Sequence, residues 1–306
     1  MSRGVRKIVR VEESEIDELY VKNYKMCPAK VKAIYLIYNL RALRSTQIAR
    51  IMGCNRKYTL SILKDLYYHR FLDRRFPYEE KGEGSGSAQG IYFLDEAGKI
   101  FISGYLDIFL KDVQWRSIDN LIKYEKLRHT LDSAEIITRV FEECRNAKYS
   151  VVDYKTEKKL WTEYTYKNNT FEFAPDIFFK ILKDRHTYSF FVENDEATMS
   201  VNSFLAKVPK YDNYKISGQY IMDYDGVFPR VLVITTSKDR AMVLADEVGK
   251  KQSSKVDFLF TWHDMFYESP FGSKTFIHTS IKRTPKTFSM FDEIPEDHRA
   301  GIPEPE

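Results

Sequence analysis

Apolar residues recur at helical spacing through the first part of the chain. Val31, Ile34, Leu36, Ile37 and Leu40 follow Pro28, a residue suited to a first turn, and predict a helix from Pro28 to about Leu40. Ser45 is a good N-cap for a short second helix, Thr46 to Met52, with Ile48, Ala49 and Ile51 apolar and Gly53 as its stop. Asn55 can cap a third helix reaching about His69, with Leu60, Leu63 and Tyr67 beside Ile62 and Leu66 as the expected buried stripe. The first turn and outer face of that helix carry Arg56, Lys57, Tyr58, Thr59, Ser61 and Lys64. The period then shortens to that of strands. Residues 71–76 and 91–94 read as partners, separated by the Gly/Ser-rich, acidic segment Glu79 to Ser87, which reads as a flexible wing.

Two short helices joined by a Gly-Cys turn and followed by a hairpin make the pattern of a winged helix-turn-helix domain. In that arrangement the second helix enters the major groove of double-stranded DNA. Arg44, Thr46, Asn55, Arg56, Lys57, Tyr58, Thr59, Ser61, Lys64, Arg74 and Arg75 are then the candidate DNA contacts. Cations among them reach phosphates, while the hydroxyl, amide and guanidinium groups can read base edges. Glu79, Glu80 and Glu83 at the wing tip would repel a phosphate backbone, so docking of a protein partner stays open as another use of the domain.

Asp95 can cap a further helix containing Ile100, Phe101 and Tyr105, the kind of added helix through which such domains form homodimers. After Trp115 the helical period resumes, and Leu127 to Leu131 lead into Ile136, Ile137, Val140 and Phe141, a stripe suited to cover a sheet. His129 in this segment is expected to be hydrogen-bonded within the fold. From Tyr149 onward strands dominate: 149–152, 171–181 and 187–195, then two helical stretches. A strand at 230–235, a helix at 238–250 and a strand at 256–260 suggest a βαβ unit in a mixed sheet. The expected fold is therefore α+β. Its parts are an N-terminal arm (1–26), the winged domain (27–110), a helical connector (111–147), an α/β domain (148–282) and an acidic, Pro-rich tail (283–306). The tail is expected to be disordered or loosely docked, because few core-forming residues remain in it.

The 306 residues, 43% hydrophobic and 30% charged, suit two globular domains, and no apolar run approaches the roughly 20 residues of a membrane span. No apolar stretch follows the first residues, so neither a signal peptide nor a membrane partner is expected. Cys27, Cys54 and Cys144 are odd in number and far apart, which argues against disulfides or a zinc cluster and fits a reducing cytoplasm. Net charge is only +4, yet residues 21–75 hold thirteen Lys or Arg against Asp65 and Asp73, a balance of +11 that leaves −7 for the remainder. A basic segment on a mildly acidic chain is the footprint of a nucleic-acid module.

Candidate chemistry lies on the strands of the second domain. Asp176 follows Pro175, which disrupts regular pairing, and Glu193 and Asp195 alternate onto one strand face. If the strands are neighbours, Asp176, Glu193 and Asp195 meet at one end of the sheet, where hard divalent cations such as Mg²⁺ or Mn²⁺ want oxygen ligands. A bound metal would polarise a phosphodiester and activate water, and Lys207 would stabilise developing negative charge.

Pro175-Asp176, Glu193-x-Asp195 and Lys207-x-x-x-Tyr211 together resemble the restriction-endonuclease-like PD-(D/E)xK core, in the variant found in the replication-relaxation family of plasmid and integrative-element proteins. The likeness runs from about residue 27 to 267. It extends to the His129 segment, Trp161-x-Glu163 and the Phe228-Pro229-Arg230 entry to an apolar strand. It implies a winged helix joined to a nuclease-like domain, with a role in replication, relaxation or mobilisation beside replication or relaxase proteins. Asp195 stands where the nuclease pattern has its lysine, Lys207 would substitute from a helix that Pro209 disturbs, and Glu196-Ala197-Thr198 replaces the family's Gly-Thr pair. Three functions stay open on this reading: a DNA-binding accessory protein with an inactive nuclease-like core, a metal-dependent endonuclease or nickase, and a transcriptional regulator whose second domain senses a ligand or partner.

Overall fold

The computed structural model describes residues 9–76, 89–197, 199–250, 256–279 and 285–295. They form a mixed α+β protein of two compact units, Met1–Thr138 and Arg139–Glu306. The division falls inside one helix, where the sequence suggested a separate connector. The segment expected to form the wing lies outside the described residues.

In the first unit, α1 (Glu18–Asn23) and α2 (Pro28–Leu40) precede β1 (Leu43–Arg44), α3 (Ser45–Met52) and α4 (Arg56–Tyr68). β2 (Leu72–Arg75), β3 (Ile91–Leu94) and α5 (Glu96–Leu106) follow. The strands make a small antiparallel sheet ordered β1-β3-β2, with Leu72 opposite Leu94 and Arg75 opposite Ile91. Local chemistry sets these limits. Pro28 opens α2, Gly53 closes α3 with φ 67°, and the Asn55 side chain caps α4 by accepting from the Tyr58 N–H at 2.8 Å. α3 starts at Ser45, the expected cap, and Arg44 caps it instead, its N–H satisfied by Gln47 Oε1 at 2.9 Å. Gly98 lets α5 pass close to the backbone just before β2: a Cβ there would sit 2.2 Å from the Phe71 carbonyl oxygen.

The buried stripe of α4 is Thr59, Ile62, Leu63 and Leu66, a strict helical face, and it corrects the expectation for Leu60, which is 36% exposed. Thr59 can turn inward because its hydroxyl donates to the Asn55 carbonyl at 3.1 Å, so its polarity is satisfied inside the helix.

The boundary helix α6 (Tyr124–Ala147) gives Leu127 and Leu131 to a core with Ala42, Ile91, Phe93 and Ile122. Gln47 Nε2 donates to the Leu131 carbonyl at 2.9 Å, tying α3 to the first half of α6. His129 is half-buried there.

The second unit continues with β4 (Ser150–Thr156), β5 (Thr162–Tyr166), β6 (Asn169–Phe173), β7 (Ile177–Lys183) and β8 (His186–Asp195). Then come α7 (Val201–Leu205), α8 (Val208–Ser217), α9 (Tyr220–Asp223), β9 (Arg230–Thr235), α10 (Lys238–Lys250) and β10 (Phe258–Trp262). α11 (His263–Glu268), β11 (Phe276–Thr279) and β12 (Pro285–Phe288) complete it. Seven strands form one mixed sheet in the order β12-β11-β10-β9-β8-β7-β4, with β8, β9 and β10 parallel. The stretch 171–181, expected as one strand, is two. Pro175 has no N–H for a ladder, so β6 ends before it and pairs with β5, while β7 joins the large sheet.

Aromatic residues fill one face of this sheet. Phe178, Phe191, Phe258 and Phe260 lie beneath Phe204, Tyr211 and Tyr214, with Ala241, Leu244, Ala245 and Val248 of α10 beside them. Phe173 stacks on Tyr214 with ring centroids 4.1 Å apart.

The expectation of a loosely docked tail is corrected as far as residue 295. β12 pairs along β11, Phe288 and Met290 are buried, and the Phe291 ring lies 5.1 Å from those of Tyr188 and Phe271. Proline and acid content obscured the apolar residues between them.

Candidate functional site

β7 and β8 are antiparallel neighbours with Ile177 opposite Val192, so Asp176 stands beside the end of β8. Its Oδ2 accepts the Asn194 N–H at 2.9 Å. Strand alternation puts Glu193 on the same face as Phe191, inside the aromatic core, and Glu193 is only 2% exposed. Such burial of a carboxylate demands partners. The Tyr211 hydroxyl donates to its Oε1 at 2.6 Å, and the Lys207 ammonium pairs with its Oε2. Lys207 is the N-cap of α8 rather than a residue within a helix, and Pro209 occupies the first turn of α8, so the proline starts that helix and does not disturb it.

Burial, together with the Asp176 charge, pushes the Glu193 carboxyl up to about 7 against the pull of Lys207 and Tyr211. Burial works against the Lys207 ammonium, but Glu193 and Asp176 outweigh it and raise Lys207 above its ordinary value. Burial and Glu193 raise Tyr211 well above the usual phenol range. These directions agree physically. Lys207 is paired with Glu193 and lies in the field of Asp176, and the same Asp176 charge that favours the ammonium disfavours the ionised form of Glu193.

Asp195 shares the Glu193 face but not its partners. Arg240, in the first turn of α10, takes both of its oxygens, Nε to Oδ2 at 2.7 Å and Nη2 to Oδ1 at 3.1 Å. The same Nη2 donates to the Met199 carbonyl at 2.8 Å, clipping the loop after β8. The expected three-carboxylate centre is corrected to two clusters: Asp176, Glu193, Lys207 and Tyr211 in one, Asp195 and Arg240 in the other. Lys207-x-x-x-Tyr211 was legible in the sequence; Arg240 was not, lying 45 positions beyond Asp195 with no pattern to mark it.

Mg²⁺ and Mn²⁺ would demand oxygen donors free to coordinate, with room for waters. Among the described residues no three His, Cys, Asp or Glu side chains gather as a metal set. Both oxygens of Glu193 receive donors, both of Asp195 face Arg240, and one of Asp176 holds a backbone N–H. As folded, the donor set does not fit the metal.

In the first unit Asn55, Arg56, Lys57, Tyr58, Ser61 and Lys64 are exposed along the first turns and outer face of α4. Thr59 is corrected: at 1% exposed it cannot meet an external partner. Arg44 and Thr46 are half-buried, and Thr46 Oγ1 lies 2.9 Å from Gln89 Oε1. The Arg74 guanidinium rests between the rings of Tyr67 and Phe76, at 4.3 and 4.8 Å. Arg75 donates to the carbonyls of Asn120 and Ile122 at 2.9 and 3.2 Å, so its head clips the fold together.

The fold and these sites define an α+β protein with a cationic helix face in one unit and a buried carboxylate–lysine cluster in the other. The profile of the replication-relaxation family matches residues 34–231, more than half of the chain, and the chain belongs to that family. The match spans α4 and the Asp176, Glu193 and Lys207 positions, and membership associates the protein with replication or relaxation of mobile elements. No curated protein matches the chain. No helix among the described residues is long and apolar enough to cross a membrane.

Proposed function

We propose that the protein binds double-stranded DNA through a winged-helix first unit and serves as an accessory factor in replication, relaxation or mobilisation of a plasmid or other mobile element. The observation that carries this reading is the α4 face. Arg56, Lys57, Tyr58, Ser61 and Lys64 are exposed together while Thr59, Ile62, Leu63 and Leu66 bury the opposite side. A helix held so, after a three-residue turn from α3, can lie in a major groove with its cations toward phosphates. The second unit serves on this reading as a restriction-endonuclease-like platform whose acids are satisfied by its own Lys207, Tyr211 and Arg240. Replication or relaxase proteins are the partners such a platform would dock, and a homodimer would let two α4 helices read paired half-sites.

Gel retardation of duplex DNA across a salt series tests the reading. Affinity should fall steeply with salt as counterions are released, and Arg56→Ala with Lys57→Ala should weaken binding. Binding that ignores both salt and these substitutions overturns it.

The second reading is a metal-dependent endonuclease or nickase, favoured by the convergence of Asp176, Glu193 and Lys207. Incubation of supercoiled plasmid with Mg²⁺ or Mn²⁺ decides between the two. Nicking that disappears in Asp176→Ala, in Glu193→Ala and with chelator would establish the nuclease. Intact but retarded plasmid supports the platform.

A further inference from the structure

We propose that the groove between α1 and α5 in the first unit is a homodimer interface, in which Phe109 of each copy enters the groove of the other. The inference deepens the DNA-binding reading by naming the contact surface of its homodimer.

Exposed apolar side chains concentrate in this part of the unit. Of the twenty large apolar side chains left exposed among the described residues, seven fall between 105 and 124. Phe109, at 74%, is the most exposed ring of all, with Tyr105 and Leu110 exposed near it in the chain. The turn that carries Phe109 is fixed on both sides. The Ile108 N–H donates to the Ser103 carbonyl at 3.1 Å, and the Ser103 hydroxyl donates to the Ile108 carbonyl at 2.7 Å. The Phe109 carbonyl then accepts the Asp112 N–H at 2.9 Å. A turn already ordered in the free chain loses little entropy when its ring meets a partner.

The groove has the matching chemistry. It holds about 670 Å³, and Val21, Met26, Ile100, Phe101, Ile108 and Leu110 make its walls largely apolar. Gly104 lines it as well. α5 carries two glycines in opposite settings. At Gly98 a Cβ would strike the Phe71 carbonyl oxygen, whereas at Gly104 it would meet nothing within 4 Å. No packing inside the chain calls for glycine at 104, although glycine weakens a helix relative to alanine. What the missing side chain leaves is room for a group from outside.

Knob and hole lie on one surface. Leu110 lines the groove, and Phe109, next to it in the chain, stands exposed. A two-fold contact requires this, since the same patch on both copies must offer both shapes. Charge favours the same partner. Glu18, Lys22 and Asp107 line the groove and are exposed, and Lys111 lies 5.5 Å from the Phe109 ring, two acids against two cations. Such a patch can face its own copy and pair acid with cation, whereas two copies of the cationic α4 face would repel each other.

Sedimentation of the full chain without DNA, across the micromolar range, tests the interface. Wild type should dimerise. Phe109→Asp removes the knob and Gly104→Leu fills the hole. Each should raise the dimer Kd by about 10-fold or more, with the circular dichroism spectrum of the folded chain kept. An equimolar mixture of the two variants should recover part of the dimer, because one knob still meets one open groove. Wild type that stays monomeric overturns the inference and leaves the groove to a replication or relaxase protein. A dimer that either folded variant leaves intact overturns it too, as does a mixture no more associated than its components. Duplex retardation by wild type is measured alongside. Its loss would sink the DNA-binding reading without touching the dimer, and a monomer that still retards duplex would sink the dimer alone.

Discussion

Arg56, Lys57 and Lys64 stand exposed on α4, whereas Lys207 and Arg240 are drawn against Glu193 and Asp195 in the second unit. The residue types are the same; the surroundings differ. An exposed cation keeps its hydration and is available to a phosphate, with a gain that depends on salt. A cation held against a buried carboxylate is committed to it, since removing either partner strands a charge in a poorly solvating interior. Charge alone therefore does not mark a nucleic-acid surface. A nucleic-acid surface needs charge that the fold leaves in solvent, and this difference separates the α4 face from the cluster between β8 and α8.

Four measurements would break or sharpen the contrast. The largest effect is expected for Arg240→Ala, which strands Asp195, a side chain only 1% exposed, and should cost about 3–5 kcal/mol in denaturant unfolding. If the variant loses less than 1 kcal/mol, the pair is not what holds the loop after β8. DNA affinity of the folded fraction should be unchanged. The reverse pattern is expected for Arg56→Ala with Lys57→Ala: stability constant, affinity down by about 10-fold or more, and a log–log salt slope reduced by about 2. Loss of stability without loss of affinity would exchange the roles of the two regions.

Smaller effects follow from pH and from the inner face of α4. The Glu193 carboxyl is raised from its ordinary value to about 7. Its folded form therefore holds a proton more tightly than the unfolded chain does. The associated stability is fully present below the ordinary carboxylate range and is lost as pH rises through about 7. Wild type should lose stability between about pH 5 and 7 more steeply than Glu193→Gln, by thermal unfolding across that window. An equal slope in both would remove Glu193 as the titrating group. Last, Thr59→Val should cost about 1 kcal/mol through its lost hydrogen bond and leave DNA affinity alone. Ser61→Ala, on the exposed side, should leave stability alone and weaken binding slightly. An affinity loss in Thr59→Val would mean that α4 presents another face.

How far the sequence could be read depended on distance along the chain. α2, α4, β9 and α10 lie where spacing and caps put them, because the signals act within a turn or two: Pro28 at a first turn, Asn55 as a cap, Gly53 at positive φ. Hydrophobicity misled where a polar group could be satisfied locally. Thr59 buries its hydroxyl on the Asn55 carbonyl and takes the core position expected for Leu60. In 285–295 the prolines and acids hid Phe288, Met290 and Phe291, whose partners Tyr188 and Phe271 come from distant segments.

The candidate chemistry divides the same way. From the sequence alone came the three acids and the alternation that puts Glu193 and Asp195 on one strand face, which short-range sterics and backbone hydrogen bonding enforce. That the strands are neighbours stood there as a condition, and Lys207-x-x-x-Tyr211 came from the family resemblance. Only the tertiary structure decided which cation each acid would hold. Asp195 went to Arg240, 45 residues away, and Glu193 to Lys207 and Tyr211. A buried carboxylate takes the donors that packing brings within reach, and the packing of α8 and α10 on the sheet rests on aromatic and aliphatic contacts spread over the whole second unit.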